Sequence, residues 1–86
     1  MESTGDINTL CFEIKDLSIA SFLYSTREIT FLGKRKLSNG DVVFRFAPKD
    51  KAEEMVTKYW NLQAPIIQPK VLFSALRDLK DMIFAS

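Results

Sequence analysis

The dipeptide Asn39–Gly40 is the feature that most restricts how this chain can fold. It stands between Glu28–Leu37 and Asp41–Phe46, two stretches with the apolar alternation of strands. Asn-Gly between two such stretches is the strongest local signal for a two-residue type I′ hairpin, because both central residues then need a positive φ. The sequence therefore predicts an antiparallel hairpin whose buried face carries Val42, Phe44 and Phe46, with Val43 and Arg45 on the opposite face.

Four cations surround the predicted turn, and the register decides where they lie. They are Lys34, Arg35, Lys36 and Arg45. A two-residue turn pairs Lys36 with Val43 and Lys34 with Arg45, so Lys34, Lys36 and Arg45 are predicted on the outer face. Arg35 then falls on the apolar face. It must either extend to the sheet margin or be turned outward by a bulge near Gly33.

Alternation and capping signals predict one more strand and two helices. Leu10, Phe12 and Ile14 alternate with polar residues or Cys11 in a strand over Thr9–Ile14. Asp16 is the predicted N-cap of the helix "LSIASFLYS". Asp50 is the predicted N-cap of "KAEEMVTKYWN", and the apolar stripe of that helix contains Ala52, Met55, Val56, Tyr59 and Trp60. We therefore expect Trp60 to be buried in the core.

A proline-containing spacer and a last helix complete the chain. Two prolines in "LQAPIIQPK" exclude helix there, and Lys70–Phe84 is predicted to form an amphipathic helix. Its stripe contains Leu72, Ala75, Leu76, Leu79, Met82 and Ile83, with Phe73 and Phe84 on a flank beside Lys80. The order β-α-β-β-α-α predicts an α+β fold, a small, mostly antiparallel sheet with helices on one face.

Length and composition predict one folded domain. The chain has 86 residues, of which 47% are hydrophobic and 27% charged, a balance typical of globular proteins. Residues 1–8 lack periodicity and are predicted to form a flexible tail, followed by a single α+β domain over residues 9–86.

The chemistry available argues against catalysis and against bound metal. The chain has no histidine and one cysteine, Cys11, so the commonest general base and a thiolate zinc site are both excluded. Neither glycine-rich phosphate motif occurs. We therefore expect a non-enzyme with no catalytic residues, no cofactor and no metal.

The sequence predicts a cytoplasmic protein that does not associate with membranes. The formal net charge is +1, which gives no global attraction to nucleic acid or anionic lipid. No segment has the apolar length of a membrane span, and the polar start "MESTGDINTL" does not resemble a secretory signal. We expect no membrane association.

One combination of segments resembles a known family. The segments are "IKD" before the first helix, "VVFRF" before "KAEEMVTKYWN", and "LFSALRDLKDMIF" after the spacer. Over Phe12–Phe84 they resemble a small bacterial and phage family catalogued only as a domain of unknown function. The resemblance implies a compact α+β fold and a phage or mobile-element setting. It implies no activity, cofactor or binding residue.

Two functional hypotheses remain. In the first, the protein is a non-catalytic interaction or regulatory module that binds another protein or itself, forming a homodimer in the latter case. Its predicted interface contains Phe73, Phe84 and Lys80. In the alternative, the hairpin binds nucleic acid through Lys34, Arg35, Lys36 and Arg45. About three phosphate contacts give only a weak salt-dependent affinity, which makes the alternative less favoured.

Overall fold

A computed structural model describes residues 11–85, and its elements follow the predicted order. The three strands form one antiparallel sheet, which confirms the α+β fold class. The predicted tail and the predicted strand residues Thr9 and Leu10 lie outside the described residues. The elements are β1 Phe12–Ile14, α1 Leu17–Ser25, β2 Thr30–Lys36, β3 Val42–Ala47, α2 Lys49–Trp60 and α3 Pro69–Ala85.

The central strand β3 carries the middle of the core. Phe46 lies opposite Phe12 of β1 on one side and Phe31 of β2 on the other. Phe44 and Phe46 have no solvent exposure, and strand alternation directs both toward the helices. Each helix contributes side chains that are almost fully buried with them, among them Leu23 of α1, Met55 of α2 and Leu79 of α3.

The hairpin is present, but the predicted type I′ turn is wrong. Its loop has three residues, 38–40, because the Gly40 amide donates to the Leu37 carbonyl (2.9 Å) and the Leu37 amide donates to the Asp41 carbonyl (2.7 Å). Gly40 has a φ of +95°, whereas Asn39 does not have a positive φ. This is the pattern of a type I turn followed by a left-handed glycine. The Asn39 Oδ1 atom accepts from the Asp41 amide (3.0 Å), which stabilises this turn locally.

The longer loop moves the strand register by one residue and reverses the predicted directions of three cations. Lys36 lies opposite Val42, Arg35 opposite Val43 and Lys34 opposite Phe44. Arg35 is therefore on the outer face of the sheet, whereas Lys34 and Lys36 project on the side of the helices. Arg45 keeps its predicted place on the outer face.

A bulge at Leu32 corrects the register before the strand reaches the core. Gly33 lies opposite Arg45, yet Phe31 lies opposite Phe46, so Leu32 is an extra residue without a partner on β3. Without this bulge, Leu32 would occupy the buried face and Phe31 would point outward. The extra residue returns Phe31 to the core, where its ring lies 5.4 Å from that of Phe46.

One of the two predicted helix caps is confirmed. The Asp16 carboxylate accepts from the Ile19 amide (3.0 Å) at the start of α1. The predicted cap at Asp50 is wrong, because α2 begins at Lys49 with Pro48 in the N-cap position. Asp50 therefore lies in the first helical turn, where its negative charge still interacts favourably with the helix dipole.

The prediction that Trp60 is buried is also wrong, because its side chain is 65% exposed. At about 100° per residue, Met55 and Tyr59 lie on one side of Ala52 around the helix, while Trp60 lies about 80° to the other side. Trp60 is also the last residue of α2. Its ring packs edge-on against Tyr59, with ring centroids 5.5 Å apart.

We expect two aromatic substitutions to separate the core from the surface. Phe44→Ala should lower the free energy of unfolding by about 3–5 kcal/mol, because it leaves a cavity in the centre of the sheet. Trp60→Ala removes a larger side chain but should cost less than about 1 kcal/mol, because that side chain is mostly solvated. Urea denaturation of both variants measures the difference. Equal losses would contradict the assignment of Trp60 to the surface.

A second prediction concerns the hairpin loop. A Cβ atom at Gly40 would have no neighbour within 4 Å, so substitution there costs backbone strain rather than a clash. Gly40→Val should lower the free energy of unfolding by about 2 kcal/mol, and Gly40→Asn by less than about 1 kcal/mol, because asparagine tolerates the left-handed region. Urea titrations of the two variants test this order, and the reverse order would refute the three-residue loop.

Candidate functional site

Two of the four hairpin cations are paired with one carboxylate on the outer face of the sheet. Glu13 of β1 lies opposite Arg45 of β3, and Arg35 of β2 reaches it from the far side. The Arg35 Nε and Nη2 atoms donate to the two carboxylate oxygens of Glu13 at 2.9 and 2.7 Å. The Arg45 Nε atom lies 3.2 Å from Glu13 Oε2. The carboxylate of Glu13 thus interacts with both arginines. Because they are already paired, these arginines are less available to bind phosphate.

The contacts among Glu13, Arg35 and Arg45 shift the pKa values of Glu13 and Arg35. The pKa of the Glu13 carboxyl lies below its usual 4.5, chiefly because Arg35 donates hydrogen bonds to the carboxylate. Partial burial opposes that shift, and the positive charges of Arg35 and Arg45 add to it. The same hydrogen bonds raise the pKa of Arg35.

The two lysines of the hairpin differ from each other. The Lys34 ammonium donates to the backbone carbonyl of Met82, one of the carbonyls in the last turn of α3 that have no partner within the helix. A cation at this end also interacts favourably with the helix dipole. Lys36 is exposed near the loop. The four predicted nucleic-acid contacts are therefore divided between the two faces of the sheet, and nucleic-acid binding stays a prediction.

The thiol of Cys11 lies next to Arg45 of β3. Cys11 is buried, and the Nη2 atom of Arg45 lies 3.4 Å from its sulfur. Within residues 11–85, no three His, Cys, Asp or Glu side chains are grouped so that they could hold a metal ion. In the same range, no helix combines the length and the apolar character needed to cross a membrane.

The predicted interface residues do lie together on the outer side of α3. Phe73 is 61% exposed and Phe84 is 82% exposed, and both line a depression of about 380 Å³ with Lys80 between them. Leu76, Arg77 and Asp81 complete its lining. The stripe on the other side of α3 contacts the core, as predicted, through Leu79, Met82 and Ile83. Phe73 and Phe84 are thus apolar side chains that the core does not bury.

Sequence reasoning missed a second group of exposed apolar side chains beside the first. Trp60 and Leu62 line a depression of about 480 Å³ at the end of α2. Leu62 is 92% exposed and has a φ of +60°, and Ile66 in the following loop is fully exposed. The prolines of the spacer were a signal for an irregular loop, but no sequence signal placed the loop's apolar side chains outside the core.

The two groups belong to one surface. A cleft of about 390 Å³ lies between them, bounded by α1, α2, the 61–68 loop and the start of α3. It shares Tyr59 and Ala64 with the depression at Trp60, and Phe73 and Leu76 with the depression at Phe84. We call this continuous surface the apolar face; its exposed members are Trp60, Leu62, Phe73 and Phe84, with the cleft at its centre.

Comparison of the chain with protein-family models, with curated proteins and with solved structures yields no match. The family resemblance noted from the sequence therefore stays a prediction, and any function must be argued from the site itself.

We expect the cluster of Glu13, Arg35 and Arg45, called here the Glu13 cluster, to make stability depend on pH. Because the Glu13 pKa is lower in the folded chain than in the unfolded chain, its stabilising effect is complete above about pH 5 and is lost as the pH falls through the folded value. Glu13→Gln should therefore lose less stability than wild type between pH 7 and pH 3, although it is less stable at pH 7. The measurement is the urea midpoint at both pH values.

Glu54→Gln is the matched control for this prediction. It removes an exposed ion pair with Lys58 on α2, in which the charged atoms are 3.4 Å apart. Such pairs contribute little to stability, so this variant should keep the wild-type loss between pH 7 and pH 3. A Glu13→Gln variant with the full wild-type loss would show that the cluster does not control acid stability.

Proposed function

We propose that the protein is a non-catalytic protein-interaction module that acts by burying its apolar face against a second copy of the same chain. The observation that carries this proposal is the continuity of the apolar face. Single exposed apolar side chains are common, but a contiguous patch on a small soluble protein is typical of an interaction site. Tryptophan and phenylalanine are also among the residues enriched in the buried centres of protein interfaces.

The residue order along α3 supports a second copy as the occupant. Two copies of α3 that pack antiparallel through the side carrying Phe73 and Phe84, about a two-fold axis at the level of Leu79 along the helix, bring Phe73 of one copy beside Phe84 of the other. The two phenylalanines are eleven residues apart, about 16 Å along the helix, so both aromatic contacts form together. Each copy supplies both partners, as a symmetric interface requires.

The charges on the same helix have a matching symmetry. The run from Arg77 to Asp81 reads Arg-Asp-Leu-Lys-Asp, so reversal about Leu79 exchanges cations with anions. In the antiparallel pair, Arg77 faces Asp81 of the second copy, and both residues lie on the side of α3 that carries Phe73 and Phe84. This pattern favours that register and disfavours a parallel pair, in which like charges meet. The net charge of +1 adds almost no long-range repulsion between copies.

The first test removes the aromatic contacts. Phe73→Ser with Phe84→Ser should weaken self-association by about tenfold or more, because truncating buried aromatic anchors commonly costs more than 1 kcal/mol each. Sedimentation equilibrium over a range of concentrations gives the dissociation constant. Leu32→Ser is the matched control, since Leu32 is exposed on the β2 bulge, lines none of the depressions of the apolar face, and its loss should leave association unchanged.

The second test reverses the charges. Arg77→Asp and Asp81→Arg should each weaken association, because each places like charges opposite each other twice in the symmetric pair. The double variant Arg77→Asp with Asp81→Arg should restore it. A wild-type chain that stays monomeric at all accessible concentrations would contradict self-association. Capture of another protein, lost in the Phe73/Phe84 variant, would then indicate a different occupant of this face. Oligonucleotide binding lost on changing Lys34 and Lys36 to Gln would favour the alternative hypothesis.

A further inference from the structure

The last turn of α3 carries an aromatic side chain that the core does not hold. Phe84 is 82% exposed, and Ala85, the last residue of the helix, is exposed as well. Met82 and Ile83 are the last residues of α3 that pack against the buried cluster, so the apolar support of the helix ends just before Phe84. Helix ends fray readily, because their last carbonyls have no partner within the helix.

A side chain from the hairpin bonds to this turn. The ammonium of Lys34 on β2 donates to the backbone carbonyl of Met82, which follows it by 48 positions in the chain. The bond satisfies one of the carbonyls that the end of α3 leaves without a helical partner. It also places a positive charge at the negative end of the helix dipole. Both effects favour the helical form of the last turn over the frayed form.

The strand register brings Lys34, and not its neighbour of the same charge, to α3. Lys34 lies opposite the buried Phe44, on the side of the helices. Lys36 projects on the same side, two residues nearer the loop, and is exposed. Its ammonium has no hydrogen bond or ion pair with any residue in the range 11–85. The two lysines therefore differ mainly in the contact with α3.

We propose that Lys34 is a positioning residue for self-association. Its bond to the Met82 carbonyl keeps the last turn of α3 helical and so holds Phe84 where it can contact Phe73 of the second copy. This inference rests on the proposed self-association and deepens it, by adding a residue of the sheet that is not a member of the apolar face.

The symmetry of the pair increases the expected effect. A symmetric pair contains two last turns and two contacts between Phe73 and Phe84, so fraying in either copy removes a contact. If loss of the bond leaves the last turn helical in about half of the molecules, both turns are helical in about a quarter of the pairs, and association weakens by up to about fourfold. A contact of modest energy in each copy thus has a measurable effect on the dissociation constant.

The test compares the same substitution at the two lysines. Lys34→Met removes the charge and the donor and keeps most of the side-chain length, and it should weaken self-association by about two- to fivefold. Lys36→Met, the matched control, should leave the dissociation constant at the wild-type value. Lys34→Arg keeps a charged donor and should restore association. Sedimentation equilibrium gives the three constants, under conditions in which urea denaturation shows each variant to be fully folded.

A second measurement reports on the last turn directly. The Cα chemical shifts of residues 82–85 measure its helical content by NMR, in dilute samples where the chain is monomeric. We expect Lys34→Met to move these shifts toward coil values and to leave those at the centre of α3 unchanged. Lys36→Met should change neither set.

The outcomes distinguish this inference from the proposed function. A wild-type chain that does not associate contradicts self-association itself, and the role of Lys34 with it. If the wild type associates, an unchanged dissociation constant in Lys34→Met overturns the role of Lys34 alone. Equal weakening by the two Lys→Met changes overturns it too, because the effect is then one of net charge. The same holds for weaker association of Lys34→Met without loss of helical shifts at residues 82–85.

Discussion

The placement of β3 between β1 and β2 is the constraint on which the rest of the structure depends. Phe44 and Phe46 on this strand are completely buried, and every helix packs a side chain into the core around them. A central strand has neighbours on both edges, so its alternation determines which face of the whole sheet is apolar. The order β1-β3-β2 also places Glu13 and Arg35 on opposite sides of Arg45, which makes their ionic cluster possible.

The hairpin shows how two local irregularities preserve that core. The three-residue loop shifts the register of β2 in one direction, and the bulge at Leu32 shifts it back before Phe31. Lys34, Arg35 and Lys36 lie between these two points, so their directions are reversed. Phe31 lies beyond the bulge and keeps its place in the core. Burial of Phe31 beside Phe46 outweighs the unpaired backbone of one bulged residue, because a buried aromatic side chain contributes far more than a single net hydrogen bond.

The last helix has two apolar sides with different roles. One packs through Leu79 against the core, and the other exposes Phe73 and Phe84 around Lys80. A small domain has limited interior volume, so a 17-residue helix with apolar residues over more than half its circumference cannot bury them all within one copy. The cleft beside Phe73 arises where the 61–68 loop and α3 leave α1 partly uncovered. The proposed self-association would cover part of the apolar surface that one copy leaves exposed.

The sequence by itself determined the fold class, the element order, the buried face of β3, the Asp16 cap and the extent of α3 to within one residue at each end. Each of these rests on a local pattern, such as a period of two, a period of 3.6 or a capping side chain. It also identified Phe73 and Phe84 as lying off the buried stripe. Only the tertiary structure decided the loop type, the bulge, the exposure of Trp60 and the cleft beside Phe73. Those features depend on which side chains compete for the same interior space, and that competition involves residues far apart in the chain.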